Sequence, residues 1–464
     1  MIKAQNDIEP KQARILDDLN KNLEKPIPIV DELGLPAIGV KVEENKIVCL
    51  WLDRCGLTRL PESILELDSL QELSLGYNLL TSIPDSINKL TSLVKLNLRW
   101  NFINELPESV GDLSSLEELD LDTNKLKNLP DSIGNLSLLR QLILRNNQFE
   151  TLPKNFSTLD SLEELNISKN KLKKFPEALT KLKSLKGLYL DNNYLMNLPK
   201  RIGDLSPLKI LSLAGNSLKA LPDEIIEPLF NIKSLRVLDF SRNQLNTLPE
   251  IMGELTNLKV LILRGNQLST LPKSISNLKS LESIDISKNK FKKLPKSLFE
   301  LKNLERIYAE GNEITTLSET FGKLKSLQQM YFESNKLKTL PKSIGNLKML
   351  QQVFIVSNQL SAIPSSIGNL KNLKILDLRN NQLTSLPESI KSLKSLEELD
   401  LRHNEFITIP SVIKNLNSIR EYFLKLEGNP FNWQSARMIS KDVKSIQAFL
   451  KRKEKLKELM SKSK

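Results

Sequence analysis

Three sets of side chains in this sequence have the types needed for chemistry. Acid–base and nucleophilic chemistry would have to draw on one histidine, His403, and two cysteines, Cys49 and Cys55, in 464 residues. A zinc site takes about four N or S ligands, and a triad needs a base within reach of a nucleophile; neither is built generously from this set. No GxxxxGK[ST] loop occurs to hold phosphates. The second set is acidic: Glu117, Glu118, Asp120 and Asp122 fall within six residues, and their like charges ask for a cationic partner. A metal is the weaker reading, because side chains spread along a strand do not converge as Ca²⁺ coordination requires. The third set is aromatic. Tyr308, Tyr331 and Phe354 stand 23 residues apart, and Trp51, Tyr77 and Trp100 gather toward the other end. Aromatics make up only 5% of the chain, so recurrence at a fixed interval implies an element that repeats with that interval.

The interval runs through most of the chain. Asparagines recur every 23 residues from Asn78 to Asn216, resume after a step of 27 at Asn243, continue to Asn404, and end after a step of 25 at Asn429. Cys55 takes the position 23 residues before Asn78, which makes seventeen ladder positions. Around each runs LxxLxLxxNxLxxLPxxIxxLxx, as in LEELDLDTNKLKNLPDSIGNLSL from Leu116. Leu-x-Leu predicts a short strand with alternate side chains inward. The ladder asparagine, a donor and an acceptor at once, can satisfy backbone groups where the chain leaves the strand. Proline follows six residues later at fifteen of the positions, with Ser318 interrupting the series. It fixes φ and removes a donor, which suits a non-strand return. The return PxxIxxL is short, which predicts 3₁₀ or extended turns. No single repeat can bury its leucines, so the units must stack, with parallel strands about 4.8 Å apart forming a face roughly 80 Å long.

The ends differ. Residues 1–46 read as an N-terminal cap: Ile15, Leu16, Leu19 and Leu23 have helical spacing up to Pro26, and IGVKV and KIVCLWL flank Glu43-Glu44-Asn45 as a hairpin. Residues 47–430 are the repeat region. Residues 431–464 read as a C-terminal helical cap with Val443, Ile446, Phe449, Leu450 and Leu456 on one face, then a basic tail. The four extra residues after Pro222, within 223–235, should bulge on the return side. Charge is uneven: residues 1–150 hold 16 basic and 24 acidic side chains, net −8, and the remainder 51 and 31, net +20. The lysines are dispersed among glutamates, which reads as a soluble surface and against nucleic acid. Two cysteines fit a reducing compartment. The first thirty residues carry no apolar core of a secretory signal, and no stretch is long and apolar enough to span a membrane. A cytoplasmic monomer is expected, with no cofactor, no metal and no catalytic residue. Cys49 and Cys55 should leave opposite surfaces of their strand and stay unbridged.

The 23-residue unit closely resembles the Ras-group leucine-rich repeats, over more than four-fifths of the chain. The resemblance implies a leucine-rich repeat solenoid, an α/β horseshoe with a parallel sheet on the concave face, short returns on the convex face and helical caps. It also implies a non-catalytic scaffold that grips a protein partner, with small GTPases and phosphatase catalytic subunits as examples. Counting from a ladder asparagine at n, positions n−7, n−6, n−4, n−2 and n−1 face outward. In the n−4 column Tyr308, Tyr331 and Phe354 should stack on the open face, framed by Arg306, Glu310, Glu333 and Val356. Exposed aromatic clusters mark binding sites, whereas solvated strands have no structural need of them. Trp51, Tyr77 and Trp100 form the second candidate surface. The alternatives are a secreted effector and a nucleic-acid or anionic-surface binder; the latter requires a Lys/Arg stripe uninterrupted by Glu.

Overall fold

The computed structural model describes residues 8–21, 26–30, 38–219, 221, 223–420, 423–438 and 441–462. They form two units: Met1–Leu218 with Glu224–Leu235, and Lys219–Asp223 with Arg236–Lys464. The first opens with helix α1 (Pro10–Lys21), which buries Ile15, Leu16 and Leu19. Leu23 lies outside the described residues. Buried Gln12 ties the helix down, accepting from Ile47 N–H at 2.6 Å. Strands β1 (Ile38–Glu43) and β2 (Lys46–Leu52) pair antiparallel. Their turn places Glu44 and Asn45 at φ 48° and 66°, the pattern of a two-residue type I′ hairpin, whose twist matches that of its strands.

From β2 onward the strands are parallel. Cys49, Leu50 and Trp51 pair with Glu72, Leu73 and Ser74, and the same 23-residue register carries the sheet of this unit to Ile210–Ser212. The second unit repeats the arrangement from Val237–Asp239 to Leu424–Lys425. The inward leucines are almost completely buried, Leu50, Leu73, Leu142 and Leu261 among them. Each strand is short because the chain turns at the asparagine. Asn266 shows why: its Nδ2 donates to Phe240 O at 2.9 Å and Leu263 O at 3.0 Å, and its Oδ1 accepts from Leu245 N–H at 3.0 Å.

The returns are five-residue 3₁₀ turns, such as Asp131–Asn135 and Lys342–Asn346, each begun by an extended proline. Proline supplies the φ near −65° that entry requires and needs no partner for a missing N–H. Ser318 breaks the proline series but keeps the geometry: its φ is −74°, and its hydroxyl accepts from Thr320 N–H in the way an N-cap serine does. On this side the repeats approach so closely that a Cβ on Gly368 would lie 2.2 Å from Ser389 O.

A backbone feature accompanies every ladder position. The residue before the asparagine has positive φ throughout, from Arg54 (60°), Tyr77 (55°) and Trp100 (53°) to His403 (53°) and Gly428 (74°). Left-handed backbone costs a residue with a Cβ roughly 1–2 kcal/mol. Glycine stands there at Gly215, Gly265, Gly311 and Gly428. The n−1 side chains therefore leave from a turn, where the sequence reading had them outward on a strand.

The 27-residue step forms a helix, α2 (Asp223–Phe230), that buries Leu229 and Phe230. At the C-terminus a short helix, α3 (Trp433–Ala436), precedes α4 (Val443–Lys462). Asp442 caps α4, its Oδ1 accepting from Ser445 N–H at 2.8 Å. Val443, Ile446 and Leu450 are buried, whereas Leu456 is exposed and does not share that face. The last residues of the basic tail, 463 and 464, lie outside the described residues.

Candidate functional site

Tyr308, Tyr331 and Phe354 end three consecutive strands, Arg306–Tyr308, Gln329–Tyr331 and Gln352–Phe354, and are direct register partners. The strand spacing brings their rings together. The centroids of Tyr308 and Tyr331 are 4.6 Å apart with planes 10° from parallel, and those of Tyr331 and Phe354 are 4.9 Å apart at 6°. All three are half-buried. Neighbours cover each other's ring faces within the stack, so the open side meets mainly ring edges, which carry positive potential. The Tyr331 hydroxyl donates to Gln352 Oε1 at 3.2 Å, a diagonal brace across one strand. Burial, then the charges of neighbouring Tyr308 and Glu333, push the Tyr331 phenol above its ordinary pKa.

The framing residues divide into two kinds. Glu310 is already engaged, pairing with Arg264 two repeats away. Glu333 has a buried Oε2 with no hydrogen-bond partner. Burial foremost pushes its carboxyl up to about 7, opposed by a hydrogen bond from its own backbone and by Arg379 and reinforced by repulsion from Glu310 and Asp377. The folded state thus holds a proton that the unfolded chain gives up near 4.5. Stability from this group is present at low pH and is lost as pH rises through about 7. Glu333→Gln should therefore melt higher than the parent at about pH 8, and the gap should narrow as pH falls from about 7 and close below about 4.5. Melting temperatures of both proteins across that range check this; a constant gap would contradict it.

At the other end the candidate residues separate. Tyr77 and Trp100 stack, with centroids 5.5 Å apart and planes 13° from parallel. The Arg54 and Arg99 guanidiniums lie 4.7 and 5.3 Å from the Tyr77 centroid. Trp51 does not join them. It is 4% exposed, and its Nε1 donates to Glu72 Oε1 at 2.7 Å. The cause is the hairpin: Gly39 lies opposite Trp51 on β1, and Val30 from the adjoining segment 26–30 sits against that glycine. The hairpin and that segment thus cover the terminal rung at Trp51. Conversely, Leu79 and Phe102, one residue beyond their asparagines, are 48% and 42% exposed beside the Tyr77–Trp100 pair and were absent from the sequence-derived set. The hint was their apolar type at a position usually polar, as at Lys125, Gln148 and Lys171.

Three of the four acidic side chains find cations within the sheet, and the Oδ1 of the fourth, Asp120, accepts from Asp122 N–H at 2.9 Å. Lys95 pairs with Glu118 at 2.8 Å, Arg140 with Glu117 at 4.0 Å and Arg145 with Asp122 at 3.5 Å. Asp377 and Asp400 pair with Arg379 and Arg402 of their own repeats, at 3.2 and 2.6 Å, rather than across strands. Both cysteines are free thiols, and burial pushes the Cys49 thiol up to about 11, far from the range of a reactive thiolate. His403 is exposed on its left-handed turn. Among the described residues no cluster of His, Cys, Asp and Glu could hold a metal ion, and no helix is long and apolar enough to cross a membrane.

The family description "Leucine-rich repeat region" matches residues 95–193, 224–339 and 331–462, and "Leucine rich repeat" matches 48–103. Among solved structures, a leucine-rich repeat protein of Leptospira interrogans is 33% identical at a TM-score of 0.71, over 84% of this chain and 92% of that one. The ectodomain of the Arabidopsis thaliana receptor kinase GASSHO1/SCHENGEN3, in complex with CASPARIAN STRIP INTEGRITY FACTOR 2, is 30% identical at 0.58, over 84% of this chain and 55% of that one. The plant peptide hormone receptor RGFR1, in complex with RGF2, is 29% identical at 0.61, over 82% and 67%. No curated protein matches. Ectodomains are among these similar structures, so the fold alone does not place the chain inside the cell. Repeat, ladder, sheet and family matches agree: the chain belongs to the leucine-rich repeat family.

Proposed function

We propose that the protein is a non-catalytic scaffold that anchors a protein partner on the sheet face at Tyr308, Tyr331 and Phe354, with Arg306, Glu310 and Glu333 setting its orientation. The carrying observation is the continuous ring stack across three strands, half-exposed where the fold requires only polar residues. Aromatic anchors concentrate binding energy. The similar structures in complex with CASPARIAN STRIP INTEGRITY FACTOR 2 and with RGF2 support the general mode. The resemblance to Ras-group repeats adds small GTPases and phosphatase catalytic subunits as candidate partners, in a cytoplasmic, monomeric setting.

Affinity purification under native salt identifies the partner, and paired variants locate it. Tyr331→Ala should weaken capture about 30-fold, the equivalent of about 2 kcal/mol. Its thermal midpoint should move far less than after a core truncation, because the side chain has no place in the leucine core. Asp120→Ala should leave capture intact. Full capture by Tyr331→Ala together with loss in Asp120→Ala would move the site to the acidic repeats and sink the proposal. Unfolding of Tyr331→Ala would make the stripe structural.

A further inference from the structure

The turn edge of the early repeats carries a second surface, separate from the aromatic stripe and independent of the function proposed for it. Leu79, Trp100 and Phe102 are large apolar side chains exposed side by side on consecutive repeats, at 48%, 48% and 42%. Tyr77 stacks on Trp100 and is flanked by Arg54 and Arg99. The next slot of the same column holds Thr123, too small to cover the far face of the indole. Two observations argue that this surface is not incidental. Tyr77 and Trp100 are the only large hydrophobic rings in the left-handed column, which elsewhere holds Arg, Thr, Asn, Lys, Gly, Ser or His, and exposed aromatic clusters mark binding sites. The charge is also locally reversed. Residues 1–150 are net −8, yet the exposed rim of this patch is basic: Arg54, Arg59, Lys125 and Lys127 against Glu105. Lys125 lies 4.7 Å from the Phe102 ring centroid, and the Nε of Arg99 is buried without a hydrogen-bond partner.

We propose that Tyr77, Leu79, Trp100 and Phe102, rimmed by Arg54, Arg99 and Lys125, form a docking surface for a protein segment that sets a carboxylate side chain beside an aromatic or branched apolar one. The apolar member covers the open face of Trp100 and lies against Leu79 and Phe102. The carboxylate meets the arginines and Lys125, whose positions over the rings preorganise them. Nucleic acid would also offer anions and flat rings, but residues 1–150 are net −8 and repel an extended polyanion.

The test uses the full chain as the target of a random-peptide display library. Enriched peptides should pair Asp or Glu with Phe, Trp, Leu or Ile. They should lose about tenfold or more in affinity to Trp100→Gly and Tyr77→Gly and none to Tyr331→Ala. Because glycine suits the left-handed site, neither glycine variant should melt below the parent by as much as a core truncation does. Enrichment of basic peptides, full binding to Trp100→Gly, or no enrichment at all would overturn the proposal. So would a core-sized loss of melting temperature in Trp100→Gly, which would assign the pair to the fold. Competition by single-stranded oligonucleotide in place of peptide would assign the surface to nucleic acid and likewise overturn it.

Discussion

Phe321→Ala should lower the stability of the second unit by about 3–5 kcal/mol, the range for removing a fully buried phenylalanine. Phe321 is completely buried in the return that follows Ser318. Its ring stands edge-on to two others: Phe299, with centroids 5.7 Å apart at 80°, and Phe332, 6.0 Å apart at 84°. Such pairs add about 0.5–1.5 kcal/mol beyond burial, so the upper end of the range is expected. Phe332 directly follows Tyr331 and points to the opposite side of the sheet. The cavity thus opens against Phe332, the chain neighbour of the stripe's central ring, and partner capture should fall along with stability. Urea midpoints for Phe321→Ala and Tyr331→Ala separate the two cases: the first should lose both stability and capture, the second capture alone. A Phe321→Ala midpoint close to the parent's would refute the packing account.

Asn266→Leu should cost about 1–3 kcal/mol, and the reason lies in which groups are left alone. Both carbonyls that Asn266 serves have a second donor. Phe240 O also accepts from Asn243 at 3.1 Å, and Leu263 O from Asn289 at 2.9 Å. Leu245 N–H is bonded to Asn266 Oδ1, so the substitution orphans one buried donor and leaves two carbonyls thinly served. Cys55→Leu is the contrasting change. The Cys55 thiol makes one weak contact, 3.7 Å to Asp53 O, and the nearby N–H groups of Cys55 and Leu57 are satisfied by Asn78 instead. Its midpoint in urea should therefore shift much less. Equal shifts for the two variants would contradict the view of Cys55 as a terminal rung.

The period and the inward faces were legible because every repeat restates them: a leucine missing from one position still leaves sixteen others in phase. Features set by a single neighbour were not. The column rule made Trp51 outward, but only the hairpin and the segment beside it decide that this rung is covered. The left-handed turn was masked because Arg54, Tyr77, Thr123 and His403 stand where Gly or Asn would have announced it. Gly215, Gly265, Gly311 and Gly428, with Asn146, Asn192 and Asn380 in the same column, were the available signal. Long charged side chains were least predictable, since their pairing depends on reach. Glu310 passes over Ser287 to meet Arg264, a choice that the intervening small serine permits. The acidic run looked unsatisfied for the same reason: its partners sit one strand away, in columns read separately.

The asparagine ladder has a consequence for how such a chain can grow. A rung such as Asn266 bonds to groups 26, 21 and 3 residues behind it. Gain or loss of one whole 23-residue unit therefore restores the same donors to the same acceptors, whereas a shift of one residue severs them all. An unequal exchange between two misaligned gene copies, displaced by one repeat, would yield a protein in which the rung at the exchange point finds the same kinds of backbone partner as before. The number of repeats can thus change by copying alone, without a new backbone partner having to be found for the asparagine.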